Sequence, residues 1–276
     1  MRCRSIIPWL FAFSVFTACF AFAQTPGNKK ISPTLSVIDS GVWKTVHKGV
    51  EFRKITLERT EPAYMVDLKL LRFDSQWFAP RLLRSAQFQL KGANVMTLAE
   101  RSGAVAAINA NYFDIDGKPL AFLKSSGQTF NPRVSKNSLY TGVFGVKEQR
   151  PFIAHRDDFL AEQADEAAQC GPLLLLRGAP QVVTAIPARA NRRALIGIDR
   201  EQHVMIAVTD TLIGGLYWTE LQEIFSAARW QVQTPELLNL DGGGSAQLYI
   251  KAGKFEDFVS GTTEVPVAIG FFAKNN

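Results

Sequence analysis

Residues 237–250 have the sequence LLNLDGGGSAQLYI. An apolar run ends in one carboxylate, Asp241, and three glycines and Ser245 precede a second apolar run. An Asp-Gly pair between two apolar runs predicts a β-hairpin. One glycine satisfies such a turn, whereas three adjacent glycines are costly to order because glycine loses the most backbone freedom on folding. The stretch therefore indicates either a tight turn alone or a turn that also serves a site.

The second interpretation has a chemical basis in the residue types. The backbone at Gly242, Gly243 and Gly244 can approach a ligand closely and offer N–H donors to an anion. The adjacent Asp241 carboxylate is suited to act as a nucleophile or as a general base. From these residues alone, the turn and the site are equally well supported.

Alternating and continuous apolar runs predict many short strands elsewhere in the chain. The strands are expected at 49–59, 63–74, 104–114, 141–155, 170–180, 192–199, 203–210, 236–240, 246–251 and 265–273.

Few segments have a helical pattern. A short helix is expected over 94–103, and a longer one over 217–230, where Thr219 and Gln222 form a capping box. Residues 157–169 suit either a helix or an exposed arm. Together these patterns predict the α+β class: one domain with a mixed, mostly antiparallel β-sheet core and a few packed helices.

The N-terminal residues predict export. Residues 1–23 contain two arginines, an apolar region and Ala21-Phe22-Ala23, which is typical of a cleaved signal peptide. An uncleaved anchor and lipidation at Cys19 are the alternatives. Residues 24–41 are expected to be a linker or disordered lead-in, and 42–276 to be the folded domain. The protein is then periplasmic or secreted, with no membrane span after cleavage.

Composition excludes several classes of protein. The formal net charge is +6 over 276 residues, and the basic residues form short pairs without interleaved aromatics, so nucleic-acid binding is not expected. The three histidines lack metal-ligand spacing, and neither a serine elbow nor a phosphate-binding glycine loop is present. We therefore expect no metal and no cofactor. After cleavage Cys170 alone remains, either buried or a nucleophile.

Other polar residues also follow apolar runs, at positions where strand ends commonly hold functional groups. Asn109 and Asn111 lie in INANYFD, and Arg193 lies in RRALIGID. An arginine suits phosphate recognition because its guanidinium binds two oxygens at once. The alternatives are strand-end turn formers for the asparagines and a surface ion pair for the arginine.

The motifs in order resemble those of the phosphodiester glycosidase family. The matching segments span about 50 to 273 and read AAINANYFD, CGPLLLLRG, RALIGID, VMIAVTD, GLYWTELQEIF, LLNLDGGGSAQLYI and VPVAIGFF. NLDGGGS is the most specific segment. Where the family has two glycines after its asparagine, this chain has Ala110 and Asn111, and Thr211 and Leu212 replace a Gly-Arg pair after Asp210.

The resemblance implies site residues and a reaction. It implies catalytic roles for Asp241, Arg193 and Asn109. It implies substrate-binding roles for a second set: Gly242, Gly243, Gly244, Ser245, Asn111, Tyr112, Asp114 and Asp210.

The implied reaction is hydrolysis of the glycosidic bond of a sugar 1-phosphodiester, of the GlcNAc-1-phosphate type. The substrate would belong to an envelope or extracellular glycan, and free sugar would be released. We expect Asp241 and Arg193, 48 positions apart, to face one pocket. The alternatives are a non-catalytic carbohydrate- or phosphate-binding envelope protein with the same fold, and a phosphodiesterase that cleaves the P–O bond.

Overall fold

A computed structural model describes residues 30–182 and 189–274 of the chain. Within these ranges, strands dominate and every strand pairing is antiparallel. The prediction of a mostly antiparallel core is confirmed. The word mixed does not apply to the described sheets, because none of their strand pairs is parallel. The predicted signal peptide, residues 1–23, lies outside the described residues.

Ten strands form the large sheet, in the order β1-β2-β4-β5-β16-β15-β17-β13-β14, with β3 paired to β4. Their bounds are β1 Lys30–Ser32, β2 Leu35–Asp39, β3 Lys44–His47, β4 Val50–Thr60, β5 Ala63–Phe73, β13 Leu173–Leu176, β14 Ala179–Pro180, β15 Ala194–Ile198, β16 Val204–Asp210 and β17 Glu236–Asn239.

Two five-stranded sheets complete the architecture, and we name them after one strand each. The β7 sheet has the order β19-β18-β7-β20-β6, and the β10 sheet has the order β11-β10-β12-β8-β9. The bounds are β6 Phe78–Arg84, β7 Ala106–Asn109, β8 Leu123–Ser125, β9 Gln128–Asn131, β10 Gly142–Lys147, β11 Arg150–His155, β12 Glu166–Cys170, β18 Leu248–Ala252, β19 Phe255–Val259 and β20 Val267–Ala273.

Two α-helices occur in the described ranges, α1 at Val95–Ser102 and α2 at Trp218–Ser226. Asn94 caps α1 by accepting the Thr97 N–H, and Gly103 ends the helix in the left-handed conformation, within the predicted 94–103 segment. Helix α2 is shorter than the predicted 217–230, and a separate 3₁₀ turn follows it.

The capping residues of α2 differ from the prediction. The N-cap is Tyr217, whose N–H is bound by the Glu220 carboxylate at 2.9 Å. The expected pair of Thr219 and Gln222 is wrong because the N-cap lies two residues earlier, at Tyr217. Glu220 also forms a buried ion pair with Arg59 at 2.6 Å, so the helix start is fixed to strand β4.

One apolar core joins the three sheets. Its buried side chains come from the large sheet, the β7 sheet and the β10 sheet, for example Ile196, Leu238, Ile108, Ile269, Phe144 and Ala168. A second core lies on the other face of the large sheet, where Leu221, Ile224 and Phe225 of α2 pack against it. The large sheet is therefore covered on both faces by apolar side chains.

The largest correction concerns the predicted hairpin at 236–251. Strands β17 and β18 lie on either side of the glycine loop, as expected, but they do not pair with each other. Strand β17 pairs with β13 and β15 in the large sheet, whereas β18 pairs with β7 and β19 in the β7 sheet. The loop is thus a crossover between two sheets.

Two further predictions are wrong in part. Lys30–Ser32 and Leu35–Asp39 are strands of the large sheet, so this part of the predicted 24–41 linker belongs to the fold. Within 157–169, Glu166 begins the wholly buried strand β12 rather than continuing a helix. In the described ranges, no helix is long and apolar enough to cross a membrane.

Candidate active site

Asp241 lies directly after β17, where the chain leaves the large sheet. Its N–H donates to the Ala110 carbonyl at 2.9 Å, so its backbone is fixed to the end of β7. Burial raises the pKa of the Asp241 carboxyl to about 6, and the Ser245 hydroxyl and the Gly242 N–H partly oppose that rise. The carboxylate is therefore desolvated but still mostly ionised at neutral pH.

Arg193 lies directly before β15, the strand that pairs with β17. The register pairs Leu195 with Asn239, and the Leu240 N–H donates to Ala194 O at 2.8 Å. Counted on in this register, Arg193 is level with Asp241, but the regular ladder ends before them, because the Asp241 N–H donates to Ala110 O and Arg192 O accepts the Gly243 N–H. The ends of β15 and β17 therefore bring the two residues to the same end of the large sheet.

The Arg193 guanidinium is held by its surroundings rather than by Asp241. Its Nε donates to Leu216 O at 2.9 Å, its Nη2 donates to Arg189 O, and the group lies 4.9 Å from the Trp218 ring centroid. Burial lowers the pKa of Arg193 to about 10, so the group remains charged at neutral pH. No ion pair joins it to Asp241, which leaves both charges available to a ligand.

Asn109 is fully buried at the end of β7 and holds both ends of the glycine loop. Its Nδ2 donates to Asp241 O at 2.7 Å, and its Oδ1 accepts the Gln247 N–H at 3.1 Å. The side-chain amide is thus fully used by backbone on either side of the crossover. Asn109 lies where the resemblance implies a catalytic residue, and its contacts are those of a residue that positions Asp241.

Each of the three glycines in the loop is required for a different structural reason. Gly243 has φ +59°, a left-handed conformation that favours glycine. A Cβ on Gly242 would lie 2.8 Å from Arg192 O, and one on Gly244 would lie 2.6 Å from Thr262 Oγ1. The Gly243 N–H donates to Arg192 O at 2.9 Å, so this amide is not free to bind an anion. Close packing of the crossover therefore accounts for all three glycines.

Tyr112 forms an aromatic wall of the site. Its hydroxyl donates to Gly171 O at 2.8 Å and accepts the Asn239 Nδ2 at 3.2 Å. Its ring stacks on Tyr140, with centroids 5.0 Å apart and an interplanar angle of 29°. Burial raises the pKa of Tyr112, and the negative charge of Asp241 adds to that rise. The same charge raises the pKa of Tyr140, so both rings lie within electrostatic range of Asp241.

Several buried polar atoms near these residues have no hydrogen-bond partner in the described protein. They include Asn111 Oδ1, Asn239 Oδ1 and Trp218 Nε1. Asn239 bonds to Tyr112, and Trp218 packs under Arg193, so two of the three belong to the same neighbourhood. Buried polar groups almost always have a partner, which makes water or ligand atoms the expected partners here.

Two predicted carboxylates are engaged elsewhere. Asp114 accepts the N–H groups of Asp116 and Lys118 at 2.9 and 2.8 Å, so it closes its own turn. Asp210 ends β16 and forms an ion pair with Lys69 at 3.2 Å. Substrate-binding roles for both residues stay predictions that these contacts do not favour.

Other chemically active groups lie apart from Asp241 or are inert. Cys170 is fully buried, and burial raises the pKa of its thiol, so it fits the buried interpretation. Asp199, Glu201 and His203 bring their ligand atoms within 4.8 Å of one another in the β15–β16 turn. That turn follows the opposite end of β15 from Arg193, about 17 Å along the strand.

Sequence reasoning missed three residues of this neighbourhood. Asn239 is part of the NLDGGGS segment, and its position two residues before Asp241 on the same strand was the available signal. Trp218 lies in the predicted 217–230 helix, and no polar pattern marks it as a site residue. Tyr140 lies in a loop with no local pattern, and only the fold places it on Tyr112.

Solved structures of other proteins share this fold. The catalytic domain of zebrafish N-acetylglucosamine-1-phosphodiester alpha-N-acetylglucosaminidase, auto-inhibited by its pro-peptide, has a TM-score of 0.61 at 14% identity, covering 86% of this chain and 87% of that chain. A hypothetical protein from Synechocystis has a TM-score of 0.58 at 14% identity, covering 88% and 64% of the two chains.

A third structure is that of a protein from Burkholderia pseudomallei K96243 described as exported. It has a TM-score of 0.51 at 12% identity, covering 80% of this chain and 74% of that chain. A comparison with curated protein sequences gave no match. The family model for phosphodiester glycosidase (NAGPA) matches residues 102–272, a range that includes Asn109, Arg193 and Asp241. Because that model spans more than half of the 276 residues, the chain belongs to the phosphodiester glycosidase family.

Proposed function

We propose that the protein hydrolyses the glycosidic bond of a sugar 1-phosphodiester of the GlcNAc-1-phosphate type. The observation that carries this proposal is that the paired strands β15 and β17 bring Arg193 and Asp241 to the same end of the large sheet. A phosphodiester linked to a sugar needs a fixed cation at its phosphate and a carboxylate at its anomeric carbon. Arg193 and Asp241 would supply these two groups, and family membership supports a hydrolase of this class.

Arg193 would bind the phosphate. Two of its nitrogens are used by Leu216 and Arg189, and these bonds leave Nη1 for a ligand oxygen. A charge-assisted hydrogen bond from a fixed guanidinium stabilises the negative charge that grows on the leaving phosphate. Because the leaving phosphate is weakly basic, the reaction does not require a strong general acid.

Asp241 would act at the anomeric carbon. The bond between that carbon and the bridging phosphate oxygen breaks, and the electron pair stays on the phosphomonoester. The carboxylate stabilises the oxocarbenium-like state or attacks it, and water then supplies the new hydroxyl of the free sugar. The proton that water loses passes to solvent. Asn109 contributes by fixing the backbone of Asp241 rather than by touching substrate.

The cellular setting is part of the proposal. The basic and apolar pattern of residues 1–23 favours export to the periplasm or the medium. The fold likeness to a Burkholderia pseudomallei protein described as exported is consistent with that location. The substrate would then be an envelope or extracellular glycan. The core shared by all three sheets supports one folded domain, which includes Lys30–Ser32 and Leu35–Asp39 as well as the predicted 42–276.

The test is product analysis with a purified chain and UDP-N-acetylglucosamine or a GlcNAc-1-phospho-sugar in ¹⁸O water. We expect free GlcNAc with the heavy oxygen on its anomeric carbon. Heavy oxygen in the phosphate, with GlcNAc 1-phosphate as product, would instead identify a phosphodiesterase. Folded protein that releases neither product from a panel of sugar 1-phosphodiesters would overturn the proposal.

Asp241→Asn distinguishes an enzyme from a binding protein. The expected result is loss of sugar release with retained binding of the intact substrate. Asp158→Asn is the matched control, since Asp158 is exposed. If the Asp241 variant binds the substrate and neither it nor the wild type releases sugar, the carboxylate takes part in no reaction and the non-catalytic alternative holds.

A further inference from the structure

A second concave region lies at the edge of the β7 sheet and is separate from the Asp241 carboxylate. It has a volume of about 730 Å³ and lies between the end of β6, strand β9 and the loop that follows β7. Its walls include Arg84, Phe130, Phe113 and Lys91, and we call it the Arg84 groove. None of the reaction steps above uses it.

The Arg84 guanidinium on the wall of the groove forms no ion pair with a described residue. Arg84 lies 3.3 Å over the Phe130 ring centroid, and its Nε is buried without a hydrogen-bond partner in the described protein. Burial lowers the pKa of Arg84, and no neighbouring carboxylate opposes that effect. Arg84 as a whole is half-buried, and its buried Nε is costly to leave without an acceptor, so an anionic ligand oxygen there would remove that cost.

The remaining charges of the groove leave it positive. Lys118 is paired with Asp116 at 3.5 Å on the exposed rim. Lys91 forms no ion pair with the described residues, and Glu264 is the remaining acid of the lining. Once the Lys118–Asp116 pair is set aside, the lining has two positive groups, Arg84 and Lys91, and one negative group, Glu264. The net charge of the lining is therefore +1. The groove also has apolar contact surface, since Ile115 on its rim is 102% exposed.

The backbone places this groove close to Asp241. Val267, at its edge, accepts the Ala110 N–H at 3.1 Å, and Ala110 in turn accepts the Asp241 N–H at 2.9 Å. Two interstrand steps of about 4.8 Å put the groove edge about 10 Å from the Asp241 backbone. Phe113 of the groove directly follows Tyr112 of the candidate active site.

We propose that the Arg84 groove binds the anionic continuation of the glycan substrate, with the acidic group of a sugar residue on Arg84 and Lys91. The sugar rings pack on Phe113 and on the exposed Ile115. This inference rests on the proposed function for its choice of a glycan, and its charge argument is independent of catalysis. The shared chemistry is an anion on a sugar ring, supplied either as a carboxylate or as a phosphate.

Calorimetric titration of the full chain carrying Asp241→Asn tests the proposal without turnover. The probes are trigalacturonate, mannotriose 6-phosphate and the neutral chitotriose. We expect the acidic probes to bind at least tenfold more tightly than chitotriose, and Arg84→Gln in the same background to lose that difference. Preference between the two acidic probes identifies carboxylate or phosphate as the natural group. Lys254→Gln, an exposed cation outside the groove, should bind like the parent.

Ile115→Glu provides a second variant that does not depend on how Arg84 packs. Its side chain is fully exposed, so the fold should tolerate the change, and the added charge should weaken acidic binding severalfold. Equal binding of acidic and neutral probes, or acidic binding that survives both substitutions, would overturn the inference. Because none of these probes is a sugar 1-phosphodiester, an inactive wild-type enzyme would overturn only the proposed function.

Discussion

Arg193 and Asp241 each lie one residue beyond the Ala194–Leu240 hydrogen bond that continues the β15–β17 ladder. Neither neutralises the other, because the guanidinium is held by the carbonyls of Leu216 and Arg189. The pairing of β15 with β17, rather than a direct bond between the side chains, therefore places the two residues at one end of the large sheet.

The first prediction concerns the pH dependence of activity. Burial raises the pKa of Asp241 to about 6, and the proposed role requires the ionised carboxylate. We expect kcat/KM to be nearly constant above pH 7 and to fall about fivefold between pH 6 and pH 5. Initial rates with UDP-N-acetylglucosamine from pH 4 to 9 provide the measurement. A rate that rises as the pH falls through 6 would instead make Asp241 a general acid.

The second prediction concerns stability. A carboxyl whose pKa is raised in the folded state destabilises the protein once it ionises, so this penalty appears as pH rises from about 4 to 6. Asp241→Asn removes the penalty and should raise the free energy of unfolding by about 3 kcal/mol at pH 7.5, with little effect at pH 4. Urea unfolding at both pH values measures the difference. A variant that is less stable at pH 7.5 would contradict the desolvation argument.

The third prediction concerns the Asn109 clamp. Asn109→Ala removes the bond to Asp241 O and leaves the buried Gln247 N–H without an acceptor. We expect a loss of about 2–4 kcal/mol in unfolding free energy and a fall in kcat larger than the change in KM. Asn94→Ala is the matched control, because loss of that helix cap should cost about 1 kcal/mol without affecting kcat. Unchanged kcat in the Asn109 variant would show that the clamp does not position Asp241.

The fourth prediction concerns the Arg59–Glu220 pair, whose side chains are 1% and 3% exposed. Removing one partner leaves an uncompensated buried charge, so Arg59→Met should lower the unfolding free energy by about 3–5 kcal/mol. The double variant Arg59→Met, Glu220→Leu should lose less than the sum of the single variants. A double-mutant cycle by urea unfolding measures the coupling. Strictly additive losses would mean that the pair contributes no interaction energy.

Local sequence patterns predicted where strands and helices occur better than they predicted which strands pair with each other. The β15–β16 hairpin follows from two apolar runs and a short loop, and its pairing is local. The Asp-Gly signal after β17 also indicated a hairpin, but a sheet-to-sheet crossover meets the same local requirements. Only remote contacts of the glycines with Arg192 and Thr262 decide between them. Strand β12 was missed because an alanine- and glutamate-rich segment favours a helix until burial on both faces overrides it.

For the candidate site, too, the sequence predicted which residues matter but not the contacts that they make. Asp241, Arg193 and Asn109 stand at the ends of apolar runs, so sequence reasoning identified them as candidates. Their distinct contacts could not be predicted, because Asn109 is fully used by backbone and Arg193 is held by carbonyls from a remote loop. Tyr140 reaches the site from a loop with no pattern of its own, and only tertiary packing reveals it.

The crossover at residues 241–247 has a consequence for engineering. Because this segment joins two sheets, the direction of its carboxylate depends on how those sheets are oriented relative to each other. Transplanting the heptapeptide into another scaffold would reproduce its shape but not its chemistry. Substitutions far from Asp241 that shift one sheet against the other should alter turnover before they unfold the protein. Turnover would then be a sensitive reporter of inter-sheet alignment in directed-evolution libraries.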